Sequence, residues 1–181
     1  YTTLFRSIDI SQFALKELVK QTIFSTADND SNKMMKGELF EIKDNNLKVV
    51  ALDGHRLAIR NIELKESYDE KRVIVPAKTL NEISKIIPGF ADEMVSIFIT
   101  DNNIIFEFEA TVVVSRLIDG EYFKLDNMLS TDYKTKIRIN KRKLLESIDR
   151  ASLMAKEGDK KPIIMDINDS NFNLSITSYM G

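Results

Sequence analysis

Leu39-Phe40-Glu41-Ile42-Lys43-Asp44-Asn45-Asn46-Leu47 and Ile164-Met165-Asp166-Ile167-Asn168-Asp169-Ser170-Asn171-Phe172 are one pattern written twice in a chain of 181 residues. Each begins with an apolar-rich run, passes through a polar Asx-rich turn, and reopens on an apolar residue. Working outward, each copy is preceded by a helical pattern. Ser11 is a good N-cap, and apolar residues at 14, 15, 18, 19 and 23 follow a period near 3.6, so an amphipathic helix is expected over 11–24. Asn140 plays the same part for a helix containing Leu144, Leu145, Ile148, Ala151 and Leu153. Strands are expected at 37–42, 47–51 and 56–64 around the first copy, and at 163–167 and 172–176 around the second.

A further round lies between them. Residues 72–76 read as a strand that ends at Pro76, a residue suited to the first position of a helix. A helix over 79–87, with Leu80, Ile83, Ile86 and Ile87 on one side, stops at Pro88-Gly89. Strands follow at 94–100, 104–108 and 111–117, and the third round opens with a strand at 136–139. The chain is therefore a repeat of strand, helix, strand, turn, strand, often with one more strand. Short turns imply antiparallel pairing. The expected class is α+β, with antiparallel sheets and helices on one face. Residues 1–6 read as the tail of a preceding domain or a linker, 7–126 as a closed domain of two repeats (7–66 and 71–126), 127–133 as a linker, and 134–181 as half of a further domain. The chain opens at Tyr1 and stops just after a strand pattern, so both ends read as cut. The unpartnered half-domain should present an open sheet edge that pairs with another copy.

Composition narrows the chemistry. Charged residues make up 30% and hydrophobic residues 43%, the balance of a globular chain. No apolar run approaches the ~20 residues of a membrane span, and no secretory signal pattern is visible. Cysteine is absent, which removes disulfides, thiolate nucleophiles and Cys-based metal sites and fits a cytoplasmic setting. The net charge of −2 excludes a uniformly basic nucleic-acid binder, so any such contact must gather cations on one face. Asp28-Asn29-Asp30-Ser31-Asn32 resembles the start of a calcium loop but lacks the glycine and the distal glutamate. No metal or cofactor is expected.

Leu52-Asp53-Gly54-His55-Arg56-Leu57 joins two strands and holds the single histidine. Asp-Gly after a strand is a turn signal, and a satisfied surface turn is its plainest reading. Asp53, His55 and Arg56 also have the ingredients of acid–base chemistry. No glycine-rich phosphate loop, nucleophile elbow or zinc spacing accompanies them, so an enzyme is not expected.

Asp53-Gly54-His55-Arg56-Leu57, Val73-Ile74-Val75-Pro76-Ala77-Lys78 and Leu117-Ile118-Asp119-Gly120-Glu121-Tyr122-Phe123, in that order, resemble signatures of the bacterial DNA polymerase III beta subunit, the sliding-clamp family. The resemblance covers essentially the whole chain. It implies the DNA-clamp fold, here the middle domain and the first half of the third. It also implies a non-catalytic processivity factor: a homodimeric ring around duplex DNA that binds linear peptides of the replicative polymerase, the clamp loader and repair proteins. Helices line the pore in that family, so the DNA-facing candidates are Lys16, Lys20, Lys33, Lys78, Lys85, Lys141, Arg142, Lys143 and Arg150. The peptide pocket carries over onto Met35, Leu52, Gly54, His55, Arg56, Leu57, Phe123, Asn127 and Met128. Leu52 stands where the family often has threonine, Phe123 where it has proline, and Asn127 where it has arginine, which lowers the rim charge. The loop before Gly37 is near DNA in that family, and its tip here is Asn32-Lys33-Met34 where other members carry aromatics. In that family the other half of the pocket lies in the C-terminal segment beyond residue 181, so peptide binding is expected to be weak or absent. The competing reading is a peptide-binding scaffold that does not involve DNA; helix cations facing apart would favour it.

Overall fold

The computed structural model describes residues 6–28, 32–125, 128–129, 132–153, 162–169 and 171–176. The chain forms two compact units, Tyr1–Lys124 and Leu125–Gly181.

In the first unit, β1 (Ile8–Ser11) runs into α1 (Gln12–Thr22). The Ser11 hydroxyl accepts from the Ala14 N–H at 3.1 Å, so the helix starts where its cap dictates. α1 is one turn shorter than expected, because residues 23–25 tighten into a 3-10 turn. A second 3-10 turn, Lys33–Lys36, leads into β2 (Gly37–Leu52). The chain continues through β3 (Leu57–Pro76), α2 (Ala77–Ile86), β4 (Met94–Ile99), β5 (Asn103–Phe108) and β6 (Thr111–Arg116). Pro76 sits at the N-cap of α2, one place before the first helical residue expected of it. The stretch β1 was not marked as a strand by the sequence pattern.

β2 is an unbroken run of extended residues, yet it cannot be straight. The Lys48 Nζ lies 3.5 Å from the Glu41 Oε1. Seven residues of straight strand span about 23 Å, beyond the reach of both side chains. β2 therefore folds back near Asp44, which adopts a left-handed φ of 52°. The Asp44-Asn45-Asn46 turn of the sequence reading is real, although the backbone stays strand-like on both sides of it. β3 also runs on where the sequence suggested a break. Its first residues pair with the second half of β2 (Val49 opposite Arg60), and its last pair with the first half (Leu39 opposite Ile74).

The second sheet has the order β1-β4-β5-β6, antiparallel throughout. The two repeats thus exchange leading strands. The strand before α1 joins the sheet that follows α2, and the strand before α2 joins the sheet that follows α1. The inner faces of both sheets and both helices share one core. Leu15, Leu18 and Val19 of α1 and Leu80 and Ile83 of α2 pack with Phe40, Val49, Val75, Val95 and Phe106, all at most 1% exposed. Each such side chain contributes about 1.5–3 kcal/mol of transfer free energy.

The second unit contains α3 (Lys141–Ser152), β7 (Ile164–Ile167) and β8 (Phe172–Ser175), with β7 and β8 antiparallel. Asn140 caps α3 by accepting from the Lys143 N–H at 3.1 Å. The helix ends at Ser152, and Leu153 is its C-cap. The strand expected at 136–139 does not form: these residues are exposed and outside any ladder. The reason is visible in the first unit, where a leading strand exists only because the other repeat's sheet receives it.

Candidate functional site

The turn from Asp53 to Arg56 is built by one carboxylate. The Asp53 Oδ1 accepts the backbone N–H groups of His55 (3.0 Å) and Arg56 (2.8 Å), and its Oδ2 accepts the Arg56 Nε at 2.9 Å. The Arg56 hydrogen bond, then the two backbone bonds, pull the carboxyl down to about pKa 2. Gly54 has a φ of 85°, a conformation that strains any L side chain. Asp53 is thus consumed in shaping the turn, and the His55 imidazole makes no hydrogen bond to another side chain among the described residues. This geometry holds no acid–base pair.

On either side, Leu52 is buried and Leu57 half-buried, while Gly54, His55 and Arg56 are exposed. β2 folds back near Asp44, about midway between Gly37 and Leu52, and brings Glu41 beside Lys48. The 3-10 turn Lys33–Lys36 therefore leaves the sheet at the same end as the Asp53–Arg56 turn. It carries half-buried Met35 and exposed Lys33. Its Met34 sulfur lies so close to Gly120 that a Cβ there would meet it at 3.2 Å.

The segment after β6 is pinned to the same sheet. The Ile118 N–H donates to the Ile74 carbonyl at 2.9 Å, and the Tyr122 hydroxyl donates to the Val50 carbonyl at 3.3 Å. Half-buried Phe123 meets the Tyr122 ring edge-on at 5.7 Å. Burial pushes the Tyr122 phenol well above its ordinary range. Met35, Leu52, Gly54, His55, Arg56 and Leu57 thus gather at one end of the first unit. Met128 is exposed in the second unit, and Asn127 lies outside the described residues. A cleft of about 620 Å³ runs between Leu39, Arg72–Ile74 and Leu117–Tyr122. Its lining includes none of the nine pocket candidates, so the apolar turn and this cleft are separate features.

The cations are not equivalent. Lys16 is half-buried, and its Nζ donates to the Ile87 carbonyl at 3.0 Å, neutralising the C-terminus of α2. Lys20 lies 3.7 Å from Glu17, and Lys85 is 2.9 Å from Glu82. Lys78 is exposed and forms no ion pair among the described residues. In the second unit, Arg142 pairs with Glu146 at 2.9 Å and Arg150 donates to the Ser147 hydroxyl at 3.0 Å. Lys141 and Lys143 are exposed. Phe13 of α1, Phe24 of the 3-10 turn after it and Ile86 of α2 are each more than half accessible.

Two groups near this end were not singled out from sequence. Tyr122 is one. Glu38 is the other: it is fully buried, accepts the Thr22 hydroxyl at 3.1 Å through Oε2, and leaves Oε1 unpaired. Burial raises its carboxyl to about 8. The alternation Glu38, Phe40, Ile42 in a strand already placed it inward. Among the described residues no cluster of three or more His, Asp or Glu side chains could hold a metal, and no helix is long and apolar enough to cross a membrane.

Comparison with known proteins adds to this geometry. Residues 9–124 match the family model described as DNA polymerase III beta subunit, central domain. A beta sliding clamp of Staphylococcus epidermidis is 34% identical over 172 residues, covering 95% of this chain and 45% of the relative. That of Bacillus subtilis is 35% identical over 153 residues, covering 84% and 40%. A crystal structure of a DNA polymerase III beta subunit from Eubacterium rectale superposes with a TM-score of 0.93 at 68% identity, covering 97% of this chain and 48% of that one. The DNA polymerase sliding clamp of Bacillus subtilis gives 0.83 at 29% identity, covering 96% and 49%. The chain spans a little under half the length of the relatives it matches.

Proposed function

The chain belongs to the DNA polymerase III beta subunit family, the sliding clamps, and from this premise we propose that it serves as part of a ring-shaped processivity factor that tethers proteins to duplex DNA. The observation that carries this reading is the coincidence of family match and fold along almost the whole chain, joined to an Asp53-built turn with no catalytic partner for His55. On this reading the first unit is a clamp's middle domain and the second the first half of the next. The protein acts by binding and does no chemistry.

Two surfaces divide the work. The end of the first unit bearing Met35, Leu52, His55 and Leu57 receives apolar anchors of a linear peptide from the polymerase, the clamp loader or a repair protein. Asp53 acts one step back, holding Gly54 to Arg56 in place. Phe123 contributes from the segment that follows β6. In the first unit the exposed cations Lys20, Lys33, Lys78 and Lys85 attract phosphates without reading bases, as a sliding contact requires, and in the second unit those of α3 do so by themselves. Lys16 does not join them, because its ammonium is engaged at the end of α2.

The test is titration of the ¹⁵N-labelled chain with a linear peptide from a bacterial replicative polymerase, followed by amide shifts. The expected result is weak binding with shifts confined to residues 33–36, 52–57 and 117–124. Shifts centred on the helices, or on the cleft at Arg72 and Asp101, would overturn the pocket assignment.

A further inference from the structure

We propose that Met34 and Ile118 are positioning residues of the peptide site: their side chains, each seated on a glycine of the other's segment, set the spacing between Met35 and Phe123. This rests on the peptide reading above and names residues that reading does not use.

Two stretches far apart in sequence meet at this point. One is the 3-10 turn Lys33–Lys36 with Gly37 behind it, and the other runs from Leu117 to Phe123. Each carries one glycine and one apolar side chain that covers the other's glycine. A Cβ on Gly37 would stand 2.8 Å from the Ile118 Cδ1, and as close to the Ile74 Cγ2 and the Val75 carbonyl oxygen. Gly37 has φ −135° and ψ 169°, open to any residue, so what it supplies is room for a close approach. A Cβ on Gly120 would stand 3.2 Å from the Met34 sulfur and 3.3 Å from its methyl carbon. The Gly120 φ of 138° excludes an L side chain as well. The contacts are reciprocal: Ile118 lies over Gly37, and Met34 over Gly120. One such contact would leave a pivot; two hold both distance and orientation.

The hydrogen bonds decide what the interlock positions. Met35 sits between Met34 and Gly37. Its N–H donates to the Asn32 carbonyl at 3.2 Å, and its carbonyl accepts the Ala27 N–H at 2.8 Å, so Met35 moves only with its turn. On the other stretch, the Ile118 N–H holds the Ile74 carbonyl, the Tyr122 hydroxyl holds the Val50 carbonyl, and the Tyr122 ring meets Phe123 edge-on. Phe123 therefore follows wherever Gly120 is set. Met34 and Ile118 are half-buried and stand outside the closed core, so their contact adds little to stability and acts on geometry. The unbranched thioether of Met34 suits an irregular seat.

The test uses the ¹⁵N-labelled 181-residue chain, native and as Met34→Ala, Met34→Leu and Gly120→Ala, titrated with a linear peptide from a bacterial replicative polymerase. Without peptide, Met34→Ala should move the Tyr122 and Phe123 amides together with that of Met35. It should weaken peptide binding about fivefold, the scale of coupling between residues in contact, and leave the unfolding midpoint nearly in place. Met34→Leu, which refills the seat on Gly120, should recover most of the affinity. Gly120→Ala should repeat the Met34→Ala pattern, and combining the two should cost little more, since both break one contact. Should Gly120→Ala not fold, the Met34 pair alone decides. Native affinity in Met34→Ala overturns the proposal. So does equal weakening by Met34→Ala and Met34→Leu, or weakening that tracks a loss of stability. A native chain whose amides at 33–36 and 52–57 do not respond to the peptide overturns the peptide reading itself, and this proposal with it.

Discussion

The two units carry the same local pattern and bury very different amounts of it. α1 and α3 are both capped amphipathic helices of similar length. Leu15 and Leu18 of α1 are completely buried, whereas no residue of α3 is buried, Leu145 is 54% exposed and Leu153 82%. Both helices face an antiparallel hairpin. The difference lies in what the described residues of each unit contain. Two repeats trade leading strands, close two sheets around one core and bury both helices; one repeat forms its helix and hairpin and leaves their apolar faces open. A hydrophobic pattern specifies which face will be buried, but burial itself waits for the reciprocal partner.

The sharpest way to break this comparison is to cut one leucine in each helix. Leu18→Ala in α1 should cost about 2–5 kcal/mol of unfolding free energy, because it opens a cavity in a closed core. Leu145→Ala in α3 should stay within about 0.5 kcal/mol. Urea melts monitored in each unit read both; comparable losses would mean that the second unit is closed too.

Glu38 tests the closed core by pH. Its folded pKa is raised to about 8 from an ordinary 4.5. Between those values the folded chain binds a proton that the unfolded chain does not, so stability should fall as pH rises from 4.5 to 8 and then level off. Glu38→Gln, which keeps an acceptor for Thr22, should flatten that slope, with a gain on the order of 1–3 kcal/mol at pH 9. An unchanged slope would place the titration elsewhere. Within the second unit no comparable buried carboxyl is present among the described residues.

Lys16 and Lys78 separate structure from DNA attraction on adjacent helices. Lys16→Ala should lower stability by about 0.5–1.5 kcal/mol through loss of the Ile87 carbonyl contact, with duplex affinity nearly unchanged. Lys78→Ala should leave the melt unchanged and reduce the salt slope of duplex binding by about 1. Smallest of all, Asp53→Asn should speed amide exchange at His55 and Arg56 while leaving the global melt in place, since the turn is exposed. In the native chain the Asp53 contribution is present above its ordinary carboxyl range and fades only as pH falls toward 2.

Much of this was legible in the sequence, for physical reasons that differ by element. Ser11 and Asn140 fix helix starts locally, and Asp44-Asn45-Asn46 marks a reversal whose proof needed the Glu41–Lys48 ion pair. The strand at 136–139 was wrongly expected because a strand is a pairing, and its partner is not local. β3 ran on through residues 65–71 because a polar strand lying on the surface has no apolar period to announce it. At the site, the Asp53–Leu57 turn was readable from Asp-Gly and its neighbours. The structural duty of Lys16 was not, since the carbonyl it caps lies 71 positions away. Glu38 was readable from alternation, and went unremarked because charged residues rarely sit fully buried.

The central claim is that a repeat closes its core only when another repeat takes up its leading strand. Hydrogen exchange of the dilute chain, residue by residue, tests it most directly. The account predicts slow exchange, near the global limit, at Val49, Val75 and Phe106, and fast exchange at Ile137 and Ile139. Slow exchange at Ile137 and Ile139 in the dilute, monomeric chain would contradict it.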